Sequence, residues 1–134
     1  MGNSIAVIGL RHGERHVRGF LEAGAQKVYA IDINEDLYEN VLHEGVVTSN
    51  DYRAVLPLVD MIIISLPPML HKEALQAALK TKASRIWIEK PLLDIGEDPG
   101  ALVADERVEV IHDFGVVTLC ETGYRGKMNV MRFG

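Results

Sequence analysis

A turn that carries two glycines, an arginine and a histidine lies near the start of the chain. It reads Gly9-Leu10-Arg11-His12-Gly13 and follows an apolar run. Such turns let a pyrophosphate approach backbone amides at a helix N-terminus, where the helix dipole favours anions. Against the dinucleotide fingerprint G-x-G-x-x-G, this turn either lacks the second and third glycines or is one residue shorter, with Gly13 at the helix start. In the shorter version Arg11 lies near a bound phosphate. An ordinary βα turn with glycines used for packing is the alternative.

A carboxylate follows the second apolar run. Asp32 lies about 20 residues beyond Gly9, the separation at which dinucleotide-binding units place an acidic side chain against the adenosine ribose hydroxyls. The same carboxylate would repel a 2′-phosphate, and no arginine follows at positions 33–35. This pattern favours NAD over NADP. A turn or helix-capping aspartate is the alternative interpretation.

A proline pair and a histidine follow the most apolar run. Ser65 ends that run, Pro67 and Pro68 come next, and His71 lies at the start of a segment with helical periodicity. Prolines form a rigid wall against a flat ring, and a histidine here could bond a cofactor phosphate or ribose. A surface histidine near a helix start is the plainer interpretation of His71.

A charged pair ends another apolar run, at Glu89-Lys90-Pro91. A lysine fixed at a strand end beside a carboxylate can donate to a substrate oxygen while a hydride is transferred. Proline after Lys90 keeps that residue extended. An exposed ion pair at a strand edge is the alternative.

These candidates all end apolar runs that alternate with stretches of helical periodicity. The predicted strands are Ser4–Leu10, Lys27–Ile33, Val46–Thr48, Met61–Leu66 and Arg85–Glu89. Strands that are apolar throughout and separated by helices predict a parallel sheet covered on both faces. The expected fold is therefore α/β, a doubly wound and mainly parallel Rossmann-like sheet forming a single domain over residues 1–134. In such sheets ligands bind beyond the carboxyl ends of the strands, where the candidates lie.

The segments between the strands begin with residues that start or cap helices. Helical spacing of apolar residues starts at Gly13, at Asn34, in a brief turn over Asp51–Leu56, and after the proline pair. A short helix is also expected around Leu102 and Val103. Two late apolar runs, Val108–Phe114 and Val116–Cys120, flank Gly115, which predicts a tight hairpin or a bulge.

Composition excludes several classes of partner. The chain has 134 residues, a formal net charge of −5 and one cysteine, Cys120. The acidic balance argues against nucleic acid or an anionic membrane as a partner. One cysteine cannot form an intrachain disulfide, which together with the lack of a signal peptide predicts a cytoplasmic protein. The longest apolar stretch is far shorter than the roughly 20 residues that span a bilayer.

The late motifs together resemble one family of oxidoreductases. Pro67-Pro68-x-x-His71, followed by a helix and then by Glu89-Lys90-Pro91-Leu92, is similar to the nucleotide-binding half of the Gfo/Idh/MocA family. The resemblance includes the glycine of the first turn, the segment Gly13-x-x-His16, the sequence Ala30–Asp32 and, late in the chain, Gly123-Tyr124-Arg125.

This resemblance implies an activity and a set of site residues. The first domain of the family binds NAD(P), and the lysine of the E-K-P motif, here Lys90, assists hydride transfer to or from sugar-like alcohols. The resemblance also implies that Asp32, Pro67, Pro68, His71 and Glu89 line the cofactor site. The turn residues Gly9, Arg11, His12 and Gly13, with Ser65, complete the predicted cofactor-binding set.

The chain departs from the family pattern in two ways. Its first turn lacks the usual second glycine, and the second domain of the family, which supplies substrate contacts and the dimer interface, is not found in these residues. We therefore expect a natural single domain or a shortened version of a longer protein, and a site completed by a homodimer or a partner chain. A nucleotide-binding module without catalysis and a single-domain CoA-binding protein are the alternatives.

Overall fold

A computed structural model describes residues 4–89 and 104–111 of the chain. In these ranges six strands form one sheet in the order β3-β2-β1-β4-β5-β6, and every neighbouring pair is parallel. The strands are β1 Ser4–Ile8, β2 Lys27–Ile31, β3 Val46–Ser49, β4 Met61–Ile64, β5 Arg85–Glu89 and β6 Val108–Ile111. The predicted Rossmann-like parallel sheet is confirmed.

Helices cover both faces of the sheet. The three α-helices are α1 Leu10–Glu22, α2 Tyr52–Val55 and α3 His71–Leu79, and 3-10 helices span Glu35–Val41, Leu56–Leu58 and Pro68–Leu70. α1 and the first 3-10 helix pack on one face, while α2 and α3 pack on the other. The first two connections between successive strands therefore lie on one face and the next two on the other, as in a doubly wound fold.

The strands are apolar throughout because each one is buried on both sides. In β1, Ile5 and Val7 belong to the core beneath α1, whereas Ala6 and Ile8 belong to the core beneath α3. β4 alternates in the same way and all four of its residues are buried. It lies beside β1 in the middle of the sheet, as its composition predicts.

Three predicted strands end earlier than expected. The strands that were expected to reach Leu10, Ile33 and Leu66 end at Ile8, Ile31 and Ile64. After Ile8 the chain turns at once, because Gly9 has a φ of +96° and α1 begins at the next residue. Ile33 is 87% exposed, so its apolar side chain does not continue a buried strand. Apolar character extended the predictions past the points where the backbone leaves the sheet.

Two other predicted elements differ in type or in extent. The segment after Asn34 is a 3-10 helix rather than an α-helix, and the Asn34 side chain caps it by accepting from the amide of Asp36. The first late run forms β6, which ends at Ile111 within the described residues. The predicted helix at 102–103, the turn at Gly115 and the run Val116–Cys120 lie outside the described residues.

An arginine ties β6 to the end of α3. The Arg107 guanidinium donates to the carbonyl oxygens of Leu79, Thr81 and Ala83 at 2.8–2.9 Å. Asp105 accepts from the same guanidinium at 3.0 Å. A cation that satisfies carbonyls beyond a helix C-terminus also meets the negative end of the helix dipole. In the two ranges that the structure describes, no helix has the length and apolarity needed to cross a bilayer.

Candidate dinucleotide site

A cavity of about 720 Å³ opens at the carboxyl ends of the central strands. It receives residues from the ends of β1, β2, β4 and β5, which meet at one edge because these strands are parallel. Of the predicted site residues, eight line it: Gly9, Arg11, His12, Asp32, Ser65, Pro67, Pro68 and Glu89. Sequence motifs that are far apart in the chain are thus brought together in one place.

Two predicted site residues lie away from the cavity lining, and a third is not among the described residues. Gly13 is buried in the first turns of α1, and His71 is buried behind the proline wall. Neither one lines the cavity. Lys90 follows Glu89 directly in the sequence but lies outside the described residues.

The turn at Gly9 leaves no room for a side chain. Its φ of +96° is a conformation that L-residues rarely adopt, and a Cβ atom would lie 2.5 Å from the carbonyl oxygen of Ser65. The Gly9 amide donates to the carbonyl of Ile31 at 2.8 Å, and the Ser65 amide donates to Ile8 at 2.8 Å. Gly9 therefore holds the ends of β1, β2 and β4 together at the cavity.

The helix begins earlier than the shorter turn alignment predicts. α1 starts at Leu10, immediately after Gly9, and not at Gly13. Gly13 lies within the helix, where a Cβ atom would come 2.8 Å from a methyl group of Val7. Gly13 thus lets α1 approach β1 closely, and its role in the described structure is helix–strand packing.

The carboxylate of Asp32 faces the start of α1. One oxygen accepts from the Leu10 amide at 2.8 Å and the other from the Asn34 amide at 2.9 Å. A carboxylate at a helix N-terminus is stabilised by the helix dipole. A carboxylate has about four acceptor positions, so two backbone bonds leave others open to the cavity. Helix capping and ligand binding are therefore compatible at Asp32.

Arg11 brings positive charge to the same helix end, and the imidazole of His12 lies next to it in the sequence. Both are exposed, both line the cavity, and the first turn of α1 contains no acidic residue. A cationic side chain at a helix N-terminus favours a phosphate. Arg11 thus supplies charge where the fingerprint would have a second glycine.

His71 supports the proline wall from behind. It is 1% exposed, and its Nε2 donates to the carbonyl oxygen of Leu66 at 2.6 Å. This bond fixes the backbone just before Pro67, and Pro68 begins a 3-10 helix. The expectation of a direct bond from His71 to a cofactor does not match this buried position, since the imidazole holds the wall instead.

A buried hydrogen-bonded pair lies at the β5 side of the cavity. His16 of α1 is 0% exposed, and its Nε2 lies 2.5 Å from Oε2 of Glu89, which is 8% exposed. Burial raises the pKa of Glu89, but the hydrogen bond and charge of His16, together with Ser65 and the charge of His12, outweigh it and leave the pKa lowered. Glu89 is therefore a carboxylate at neutral pH.

His16 is not among the predicted site residues, although the segment Gly13-x-x-His16 belongs to the family resemblance. A further signal is its place on the apolar face of α1, between Gly13 and Phe20 at helical spacing. A histidine at such a position must find a buried partner, but its partner is 73 residues away in the chain. Helical periodicity alone cannot identify a partner at that separation.

The cavity is lined by both apolar and charged side chains. Ile33, Leu37, Leu66 and Leu70 are its apolar residues, and Arg11, Asp32 and Glu89 are its charged ones. The Ser65 hydroxyl is buried at the cavity and has no hydrogen-bond partner within 3.5 Å among the described residues, although it is close enough to lower the pKa of Glu89. A polar ligand could complete its hydrogen bonding. Within residues 4–89 and 104–111, no three metal-ligating side chains cluster.

Comparison with known proteins identifies the fold family. A family model described as an oxidoreductase family with an NAD-binding Rossmann fold, Gfo/Idh/MocA, matches residues 3–111. No curated protein matches the sequence.

Several solved structures share the fold. A myo-inositol 2-dehydrogenase from Lactobacillus plantarum is 28% identical, with a TM-score of 0.58, over 69% of this chain and 29% of that one. A myo-inositol dehydrogenase from Lactobacillus casei, in complex with NAD(H) and myo-inositol, is 21% identical, with a TM-score of 0.68, over 82% and 36%. A UDP-N-acetylglucosamine 3-dehydrogenase from Acidithiobacillus ferrooxidans is 23% identical, with a TM-score of 0.62, over 78% and 35%.

All three structural matches cover only part of the known dehydrogenase. The chain spans about a third of the length of each of these dehydrogenases. The matched part is the Rossmann fold, and the match does not favour the CoA-binding or non-catalytic alternatives. The chain therefore belongs to the Gfo/Idh/MocA oxidoreductase family, of which it contains the NAD-binding Rossmann domain.

Proposed function

We propose that the cavity binds NAD and that the chain is the nucleotide-binding part of an oxidoreductase acting on a sugar-like hydroxyl or carbonyl compound. The observation that carries the proposal is Asp32, whose carboxylate lines the cavity beside the tight turn at Gly9. The family match and the NAD(H) complex of the Lactobacillus casei enzyme support the choice of cofactor.

Each part of the dinucleotide has a proposed partner in the cavity. Asp32 accepts hydrogen bonds from the adenosine ribose hydroxyls, and the apolar side chains of Ile33 and Leu37 lie beside that position. Arg11 and His12 face the pyrophosphate at the start of α1. Pro67 and Pro68 form a wall toward the nicotinamide side.

The proposed preference for NAD over NADP rests on charge. A 2′-phosphate on the adenosine ribose would meet the carboxylate of Asp32, and the adjacent Ile33 and Asn34 bring no compensating cation. Because Asp32 is already fixed by two backbone amides, it cannot swing away without losing both hydrogen bonds.

The proposed chemistry places Lys90 at the reacting end. A bound nicotinamide would accept or donate the hydride. Lys90, which follows Glu89 in the sequence, would accept the hydroxyl proton when the substrate is oxidised and return it to the carbonyl oxygen when the substrate is reduced. The substrate class is proposed from the dehydrogenases of myo-inositol and of a nucleotide sugar that share the fold. Substrate contacts and exclusion of water would come from a second copy of the chain, from a partner chain or from a further domain.

The first test is an NADH titration of the purified chain, followed by nicotinamide fluorescence, with NADPH and CoA as competitors. We expect NADH binding that NADPH and CoA displace poorly. Binding of CoA without binding of NADH would overturn the proposal.

A substitution then tests the ribose assignment. Asp32→Ala should weaken NADH binding by about tenfold, because it removes charged hydrogen bonds to the ribose. The matched control is Glu44→Ala, which removes an exposed carboxylate that does not line the cavity. Equal NADH affinity in the Asp32 variant and the control would refute the assignment of Asp32.

A further inference from the structure

The buried pair His16–Glu89 carries an inference about redox preference. Glu89 lines the cavity, whereas His16 does not and stands behind it in α1. The negative member of the pair is therefore the one that faces a ligand. We propose that His16 is a positioning residue that holds the Glu89 carboxylate at the nicotinamide side of the cavity, so that the chain binds oxidised NAD⁺ more tightly than NADH.

The sheet order places Glu89 opposite the proposed ribose site. Asp32 follows β2 and Glu89 ends β5, with β1 and β4 between those strands. Three strand spacings of about 4.8 Å separate the two positions by roughly 14 Å. A dinucleotide with its adenosine ribose at Asp32 crosses the ends of β1 and β4 and ends beside Glu89. The inference rests on the proposed function, because it takes a dinucleotide to be bound with its adenosine ribose at Asp32.

Charge then separates the two redox states of the ligand. The nicotinamide ring of NAD⁺ is a cation, and the ring of NADH is neutral. A fixed carboxylate in a partly enclosed cavity attracts the cationic ring and has no such attraction for the neutral one. The adenosine and pyrophosphate parts are the same in both forms, so their contacts cancel in the ratio of the two affinities.

His16 affects both the ionisation and the orientation of the Glu89 carboxyl group. Burial alone would favour the neutral acid at Glu89, and the hydrogen bond from His16 is the largest influence that opposes burial. The groups that face Glu89 are His16 and His12 from α1 and Ser65 from the end of β4. The Nδ1 atom of His16 has no hydrogen-bond partner among the described residues. The hydrogen bond between Nε2 and Glu89 is therefore the one that orients the imidazole.

The test compares dissociation constants for NAD⁺ and NADH in wild type and in Glu89→Gln. We expect the substitution to raise the dissociation constant of NAD⁺ by about fivefold, because the oxidised ring loses an electrostatic attraction. The dissociation constant of NADH should change by less than about twofold, because its ring is neutral. The matched control is Glu109→Gln, which alters another buried carboxylate that bonds Trp87 and Arg85 outside the cavity.

A second variant tests the role of His16 itself. His16→Gln should reduce the preference for NAD⁺ in the same direction as Glu89→Gln, and the double variant should add little to either single change. If the pair had only a structural role, the substitutions would weaken the binding of NAD⁺ and NADH equally. The ratio of the two dissociation constants would then stay unchanged. Thermal unfolding of each variant shows whether it is folded, and the ratio measured in the His16 variant decides the matter if Glu89→Gln does not fold.

The two proposals fail in different ways. If wild type binds neither NAD⁺ nor NADH, the proposed function itself is wrong. If both bind and the ratio is the same in wild type, Glu89→Gln and His16→Gln, the cofactor proposal stands and the redox inference is overturned.

Discussion

The two carboxylates of the cavity are held in different ways. Asp32 is half-buried and accepts from two backbone amides, one of them at the start of α1 and the other two residues along the chain. Glu89 is buried and depends on the side chain of His16, 73 residues away in the sequence. The bond from the Asn34 amide is local in the sequence, whereas the bond from Leu10 to Asp32 and the bond between His16 and Glu89 both depend on the assembled sheet.

The largest expected effect comes from a change that damages both sides of the cavity at once. Gly9→Ala puts a Cβ atom against the Ser65 carbonyl and imposes a positive φ on alanine. We expect a loss of about 4 kcal/mol in the free energy of unfolding, measured by urea denaturation. Gly45→Ala is the control, because the nearest atom to its added Cβ is the end of the Leu21 side chain, at 3.3 Å, and the next two lie at 3.5 Å and 3.6 Å. Similar losses in the two variants would contradict the role given to Gly9.

A smaller loss of stability, which depends on pH, is expected from a change at Glu89. Glu89→Gln should lower the free energy of unfolding by about 2 kcal/mol at neutral pH, because a charged buried hydrogen bond is replaced by a neutral one. The pKa of Glu89 is lowered from 4.5 in the folded chain, so its contribution is complete above about pH 4.5. It is lost as the pH falls through the lowered folded pKa. A wild-type to variant difference that does not shrink on acidification would argue against an ionised Glu89.

The smallest effect is expected at Lys90. Because the resemblance assigns this lysine to the substrate oxygen, Lys90→Ala should change the dissociation constant of NADH by less than about twofold. The NADH titration used for the Asp32 variant measures this directly. A tenfold loss of NADH affinity would indicate that Lys90 contacts the cofactor and not the substrate.

Much of the fold was predictable because its signals are local. Apolar runs separated by helical periodicity predicted the parallel sheet, and Asn34 was recognised as a cap. The strand ends were placed two residues too far because Leu10, Ile33 and Leu66 are apolar, although the chain has already left the sheet at these positions. Hydrophobicity does not mark where a strand ends, since Leu10 is buried in α1 whereas Ile33 is exposed.

The site was predictable in membership but not in the roles of its residues. Motifs at strand ends predicted eight of the cavity residues, since parallel strands bring their carboxyl ends to one edge. His71 has the residue type of a ligand contact but turns inward to the Leu66 carbonyl. Gly13 has the residue type of a phosphate loop but serves the contact of α1 with β1. Residue type and spacing do not specify the direction in which a side chain points.

The sequence by itself determined the parallel α/β fold, the tight turn at Gly9 and the acidic residue after β2, because each depends on neighbours within a few residues or on a simple period. Only the tertiary structure decided that α1 starts directly after Gly9, that Asp32 caps it, and that His16 lies against Glu89. The physical reason is that a buried polar group must find a partner, and in a doubly wound sheet that partner comes from whichever helix the crossover places above the strand.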